Sequence, residues 1–252
     1  MKLKLHFFFS LLYKNKVRVF ICFTLLFLSC KKENTSGTIY KSNFAKRGIT
    51  SFPELEYWAS NTKEWQVFQD RIECLVSNEN RKIHLLTRQL GSQEGNLEMK
   101  VRLGFFNNKI SNLNKNWAGF HFGHQRKLIK DDLNNQNKGI NIGVTTNGTL
   151  FIGSPCLAYK NSIIMDALKN GVDLKILIEN NNSSYTIDFS VLEISTGKIL
   201  GRISKSNIVS EQITGDFTLV SNFVNQEVNI ENLNKSVWFQ NWEIKGSKVA
   251  LP

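Results

Sequence analysis

The chain has 252 residues and carries 32 Lys and Arg against 21 Asp and Glu, a formal charge of +11. Five of those bases and no acid fall within the first 29 residues, so the remaining 223 residues carry +6, spread along the sequence. That length suffices for one large all-β domain, or two small ones, with a full hydrophobic core. The even spread of charge does not indicate a nucleic-acid footprint, and no nucleic-acid partner is expected.

Residues 1–29 read as a signal peptide. Lys14, Lys16 and Arg18 form a positive n-region, and residues 19–28 an apolar h-region too short to span a bilayer. The same three bases split the apolar residues into two short blocks, which argues against a transmembrane anchor. Leu25-Leu26-Phe27-Leu28-Ser29-Cys30 resembles the lipobox of bacterial lipoproteins. In that class the cysteine thiol is diacylated and the mature chain begins there. The resemblance implies lipidation of Cys30, membrane lipid as a partner and an exported, lipid-anchored protein of the cell envelope, in either membrane. A mildly basic mature chain also suits a surface of anionic headgroups.

Residues 30–64 are expected to be a tether and lead-in, since residues 31–50 are polar and lysine-rich with Gly37, Ser42 and Gly48. From residue 65 to 249 short alternating runs take over, the period of half-buried strands. Leu97-Glu98-Met99-Lys100-Val101-Arg102-Leu103 is the clearest; residues 140–144, 172–176 and 185–191 repeat it. Phe217, Leu219 and Phe223 mark a late strand and residues 237–244 the last, before a tail at 250–252. Thr146-Asn147-Gly148-Thr149 predicts a two-residue type I′ hairpin, because Asn-Gly supplies positive φ at both centres. Turns are also expected at 91–95, 180–184 and 195–197, and only residues 163–168 have a helical period. About ten strands with tight turns predict an all-β antiparallel sandwich of the concanavalin-like or jelly-roll kind. Met99, Val101, Leu103, Ile142, Leu174, Ile176, Ile187 and Phe189 are expected to point inward.

Familiar catalytic signatures are absent: no Gly-x-Ser-x-Gly, no phosphate-cradling glycine loop, no His-Glu-x-x-His and no Cys-x-x-Cys. A sandwich glycosidase needs paired carboxylates, whereas Glu98, Glu193 and Glu243 are each alone in sequence. His121 and His124 are three apart, but in a regular strand they point to opposite faces. Asp131 and Asp132, with Asn134, Asn135 and Asn137, are weak calcium candidates in a loop crowded by Lys127, Lys130 and Lys138. No other metal site and no cofactor is expected. Cys22 is lost with the signal, so Cys74 and Cys156 are left either to pair in an oxidising compartment or to lie buried as thiols. Trp117, Trp238 and Trp242 are the candidate glycan contacts, since indole is flat, apolar and carries one N–H donor. Core packing is the competing role for each.

The runs 80–90, 97–104, 117–120, 139–144, 147–153, 219–223 and 238–249, in this order, resemble a known domain. It is the N-terminal concanavalin-like (laminin-G-like) sandwich of exported bacterial PhoD-like metallophosphatases. The likeness covers about residues 65–249. In those relatives the phosphatase domain follows the segment matching Gly246-Ser247-Lys248-Val249; this sequence reaches Pro252, so no catalytic residue carries over. The loop at 125–138 also departs from the acidic, tyrosine-bearing stretch expected there. The resemblance implies a non-catalytic accessory or binding module, with a glycan or a metallophosphatase as partner. A concanavalin-like glycoside hydrolase and a structural envelope lipoprotein are the alternatives.

Overall fold

The computed structural model describes residues 40–44, 56–106, 115–124, 139–155, 160–224 and 235–252. Cys30, Asp131, Asp132 and Cys156 lie outside them, so the expectations for lipidation, calcium and half of the cysteine pair fall there too. Cys74 is a buried free thiol whose Sγ donates to the Val76 carbonyl at 3.4 Å.

In chain order the early strands are β1 (Tyr40–Lys41), β2 (Tyr57–Trp58), β3 (Trp65–Phe68), β4 (Arg71–Cys74) and β5 (Arg81–Leu90). Next come β6 (Leu97–Phe105), β7 (Trp117–His124), β8 (Ile140–Thr145) and β9 (Leu150–Gly153), then helix α1 (Ser162–Asn170). The chain continues through β10 (Val172–Asn181), β11 (Ser184–Leu192), β12 (Ile199–Ile208), β13 (Gly215–Asn222), β14 (Val237–Lys245) and β15 (Val249–Ala250). They form two antiparallel sheets. The eight-stranded one runs β12-β11-β10-β6-β14-β4-β3, with β1 also on β14; the seven-stranded one runs β15-β5-β13-β7-β8-β9, with β2 on β5. The fold is an all-β antiparallel sandwich.

Alternation builds the core as the sequence predicts. In β6 the apolar residues Leu97, Met99, Val101 and Leu103 meet Ile178, Ile176, Leu174 and Val172 of β10 across the ladder. All eight residues expected to point inward have 0% exposure. The intervening charges sit on the opposite face, where Asp173 pairs with Lys100 (2.8 Å) and Arg102 (2.9 Å), and Glu98 with Lys245 (3.0 Å).

Three features depart from the sequence reading. First, the expected tether contributes β1 and β2, with Tyr40, Phe44 and Tyr57 in the core. Second, the Asn147-Gly148 hairpin is not type I′. Gly148 has φ +82° but Asn147 keeps negative φ; the Gly148 N–H bonds to the Thr145 carbonyl, and that of Thr145 to the Thr149 carbonyl. This is a turn closed by a glycine bulge, and the Asn147 amide oxygen accepts from the Thr149 N–H at 3.1 Å.

Third, alternation breaks in β14. Asn241 has φ +51°, and the pairing with β6 slips between Gln240 and Glu243. Such a bulge inserts one residue and switches the faces beyond it. Val237 and Phe239 therefore share the core with Trp242 and Ile244, all at 0% exposure. Trp238 faces outward instead.

α1 has Asn161 at its N-cap, accepting from the Ile164 N–H at 3.2 Å, and buries Ile164 and Leu168. Near the C-terminal end, Lys248 is fully buried. Its ammonium donates to the Gln93 carbonyl (3.0 Å) and Tyr185 hydroxyl (3.0 Å) and lies 4.4 Å from the Tyr185 ring centre.

Candidate functional site

Ladder register places chemistry-bearing residues from several strands on a single line. Trp58 lies opposite His84, His84 opposite Thr218, Thr218 opposite His121, and His121 opposite Asn141. The line thus crosses β2, β5, β13, β7 and β8. Chain neighbours of these residues, Tyr57, Ile83, Leu85, Phe217, Leu219, Phe120, Phe122 and Ile142, fill the core. Because side chains alternate along a strand, the row occupies the face of the seven-stranded sheet turned away from the core.

Within the row the contacts are specific. His84 Nδ1 is 3.0 Å from Thr218 Oγ1 and 3.5 Å from an Asp216 carboxylate oxygen. A carboxylate can only accept, so this arrangement favours the proton on Nδ1. His121 Nδ1 donates to the Asn141 amide oxygen at 2.7 Å. His84, Thr218, Asp216 and His121 are buried. Trp58 closes the row at its open end, 47% exposed, with its ring centre 5.2 Å from that of His84.

Beside this row runs a second line: Lys82, Val220, Gly119, Gly143 and Phe151. Glycine at 143 makes room for two rings, since a Cβ there would sit 3.0 Å from the Trp117 indole and 3.2 Å from Phe151. Trp117, Phe151 and Val220 form a separate apolar cluster, with the two rings edge to face at 5.1 Å. Burial pushes the pKa of the Lys82 ammonium down.

The three expected glycan contacts are not brought together. Trp242 is a core residue, packed against Tyr40 and Tyr57. Trp117 is buried on the seven-stranded sheet, packed with Phe151 and Val220. Trp238 lies on the other sheet, against the glycines at 104 and 171, with the Arg71 guanidinium carbon 5.3 Å above its ring. Trp117 and Trp242 are buried and Trp238 is half-buried. Trp58 is exposed, and sequence reasoning missed it because it sits in the expected lead-in.

His121 and His124 also differ from the regular-strand reading. A register shift sets His121 opposite Thr218 and His124 opposite Asp216, with Gly123 at φ +83° between them. Strict alternation between the two histidines is therefore interrupted. Among the described residues no group of three or more His, Cys, Asp or Glu side chains could hold a metal ion.

On the eight-stranded sheet the charges compensate one another. Glu73 has no exposed side-chain surface and meets Lys235 and Arg71 at 2.7 Å each. Burial pushes its pKa up, but hydrogen bonds from Lys235, Gln66 and Arg71 together outweigh that and hold it below the usual value. A cavity of about 250 Å³ lined by Tyr40, Lys41, Glu98, Lys100, Glu243 and Lys245 contains ion pairs of its own, Lys41–Glu243 at 2.7 Å among them.

No protein-family model matches the chain, and no curated protein matches it. Solved structures similar to it include the VIP36 exoplasmic/lumenal domain, at 9% identity and a TM-score of 0.48 over 81% of this chain and 89% of that one. Lectin II from Ulex europaeus is similar at 10% identity and a TM-score of 0.47, over 83% of this chain and 98% of that one. The alginate lyase Aly36B is similar at 10% identity and a TM-score of 0.46, over 83% and 97%.

Proposed function

We propose that this chain is an exported envelope lipoprotein, anchored through acylated Cys30, whose sandwich is a non-catalytic glycan-binding module. The observation that carries the binding half is Trp58, an exposed indole set beside a row of imidazole, hydroxyl and amide groups. A sugar ring presents a flat apolar face, and the exposed Trp58 indole offers the complement to it. The anchor half is supported by the lipobox at 25–30. The motif order across 80–249 supports an accessory role beside a PhoD-like metallophosphatase.

Glycan-array screening of the full chain in detergent, alongside Trp58→Ala, tests the binding half. The wild type is expected to bind a subset of glycans, and Trp58→Ala to lose about tenfold or more, the loss of one stacking contact. Its unfolding midpoint should stay near the wild-type value. Wild-type signal at background, or a Trp58→Ala protein that binds normally, sinks the reading. Palmitate incorporation that persists in Cys30→Ala does the same for the anchor.

A further inference from the structure

Resting on the glycan reading, we propose that the polymer bound at this face is anionic, a polysaccharide carrying carboxylate or sulfate groups, and that Lys82 pairs with its charge. Lys82 and His84 are alternate residues of β5, paired with Val220 and Thr218 of β13, so they share a face. Their Cα atoms are about 7 Å apart along the strand. Trp58 lies directly opposite His84 on the neighbouring strand. A ring stacked on the Trp58 indole therefore has an imidazole beside it and an ammonium within one lysine side chain's reach.

Lys82 differs from the paired cations of the eight-stranded sheet. On the eight-stranded sheet Lys100 and Arg102 meet Asp173, Lys175 and Lys245 meet Glu98, and Arg71 and Lys235 meet Glu73. Arg202 meets Asp188, and Lys41 meets Glu243. Lys82 meets no carboxylate among the described residues; its neighbour across the ladder is the buried Val220, and burial lowers its pKa with no opposing charge. A cation kept partly out of water with no counter-ion is unfavourable until an anion arrives. Neutral sugars leave that cost in place, whereas a carboxylate or sulfate removes it. The preference for charged polymer follows from this asymmetry.

The test measures binding of the detergent-solubilised full chain to four polymers: polygalacturonate, dextran sulfate, neutral galactan and neutral dextran. Wild type, Lys82→Met and Lys198→Met are compared, Lys198 being an exposed lysine elsewhere on the surface. At least one charged polymer is expected to bind more tightly than its neutral counterpart, and the one that does identifies carboxylate or sulfate as the group read. Lys82→Met should lose about tenfold for it, the worth of one charge-assisted contact, while Lys198→Met stays unchanged. Lys82→Met should also unfold at the wild-type midpoint or above it. Equal losses in the two lysine variants would mean attraction to net charge and overturn the inference. So would neutral polymers bound as well as charged ones, though the glycan reading would then stand. Failure of all four polymers, together with a blank glycan array, removes both.

Discussion

Trp242 sits at 0% exposure between the Tyr40 and Tyr57 rings, and its indole N–H is buried without an acceptor. Two opposed terms meet in that side chain: a large apolar surface removed from water, and one donor stripped of its hydrogen bond. Trp242→Ala should cost about 3–5 kcal/mol through the cavity it leaves. Trp242→Phe keeps most of the ring and discards the stranded donor, so it should cost clearly less. Denaturant midpoints for the two variants check this order; a Trp242→Ala protein with wild-type stability and weakened sugar binding would contradict it. Trp117, Trp238 and Trp242 were legible in the sequence as candidates for either role, but the direction of each ring was not. Trp58 was invisible as a site because its partner, His84, comes from a strand that begins more than twenty residues later in the chain. Asp216 and Thr218 join that site only through a ladder between β5 and β13, a pairing no local pattern encodes.

Strands with one buried and one wetter face announce themselves, which is why β6, β10 and β11 were readable from alternation. β12 was not, because it is an edge strand exposed on most of its length and so lacks an apolar period. The bulge in β14 was hidden for another reason. A single inserted residue leaves both halves alternating, but out of phase, and strict period-2 reading carries the first phase across the break. Asn241 makes the break tolerable, since asparagine enters the left-handed region more readily than most residues. Asn241→Gly should therefore be close to neutral, whereas Asn241→Val should lower stability by about 1–2 kcal/mol. Thermal unfolding of the two variants measures the difference. Equal midpoints would mean that the bulge does not depend on this backbone conformation.

The molecule closes through its last strands. β14 lies inside the eight-stranded sheet, between β6 on one side and β4 and β1 on the other, and the backbone of Trp242 is tied to Ser42 by hydrogen bonds of 2.8 and 2.9 Å. β15 then pairs with β5 in the opposite sheet, and Lys248 reaches Gln93 and Tyr185. A chain ending at residue 236 lacks all of these and should show no cooperative unfolding transition and rapid proteolysis, while the chain through residue 252 is protected. A cooperative transition in the shorter chain would show that the earlier strands hold together alone.

The interior position of β14 also sets a clock. The ribosome delivers a chain from its N-terminal end, and long-range strand pairing must wait for both partners. β4 and β6 stay without their shared neighbour until residues 237–245 arrive. If the chain is exported in extended form, as the proposed anchor requires, this ordering keeps the eight-stranded sheet open until residues 237–245 have crossed.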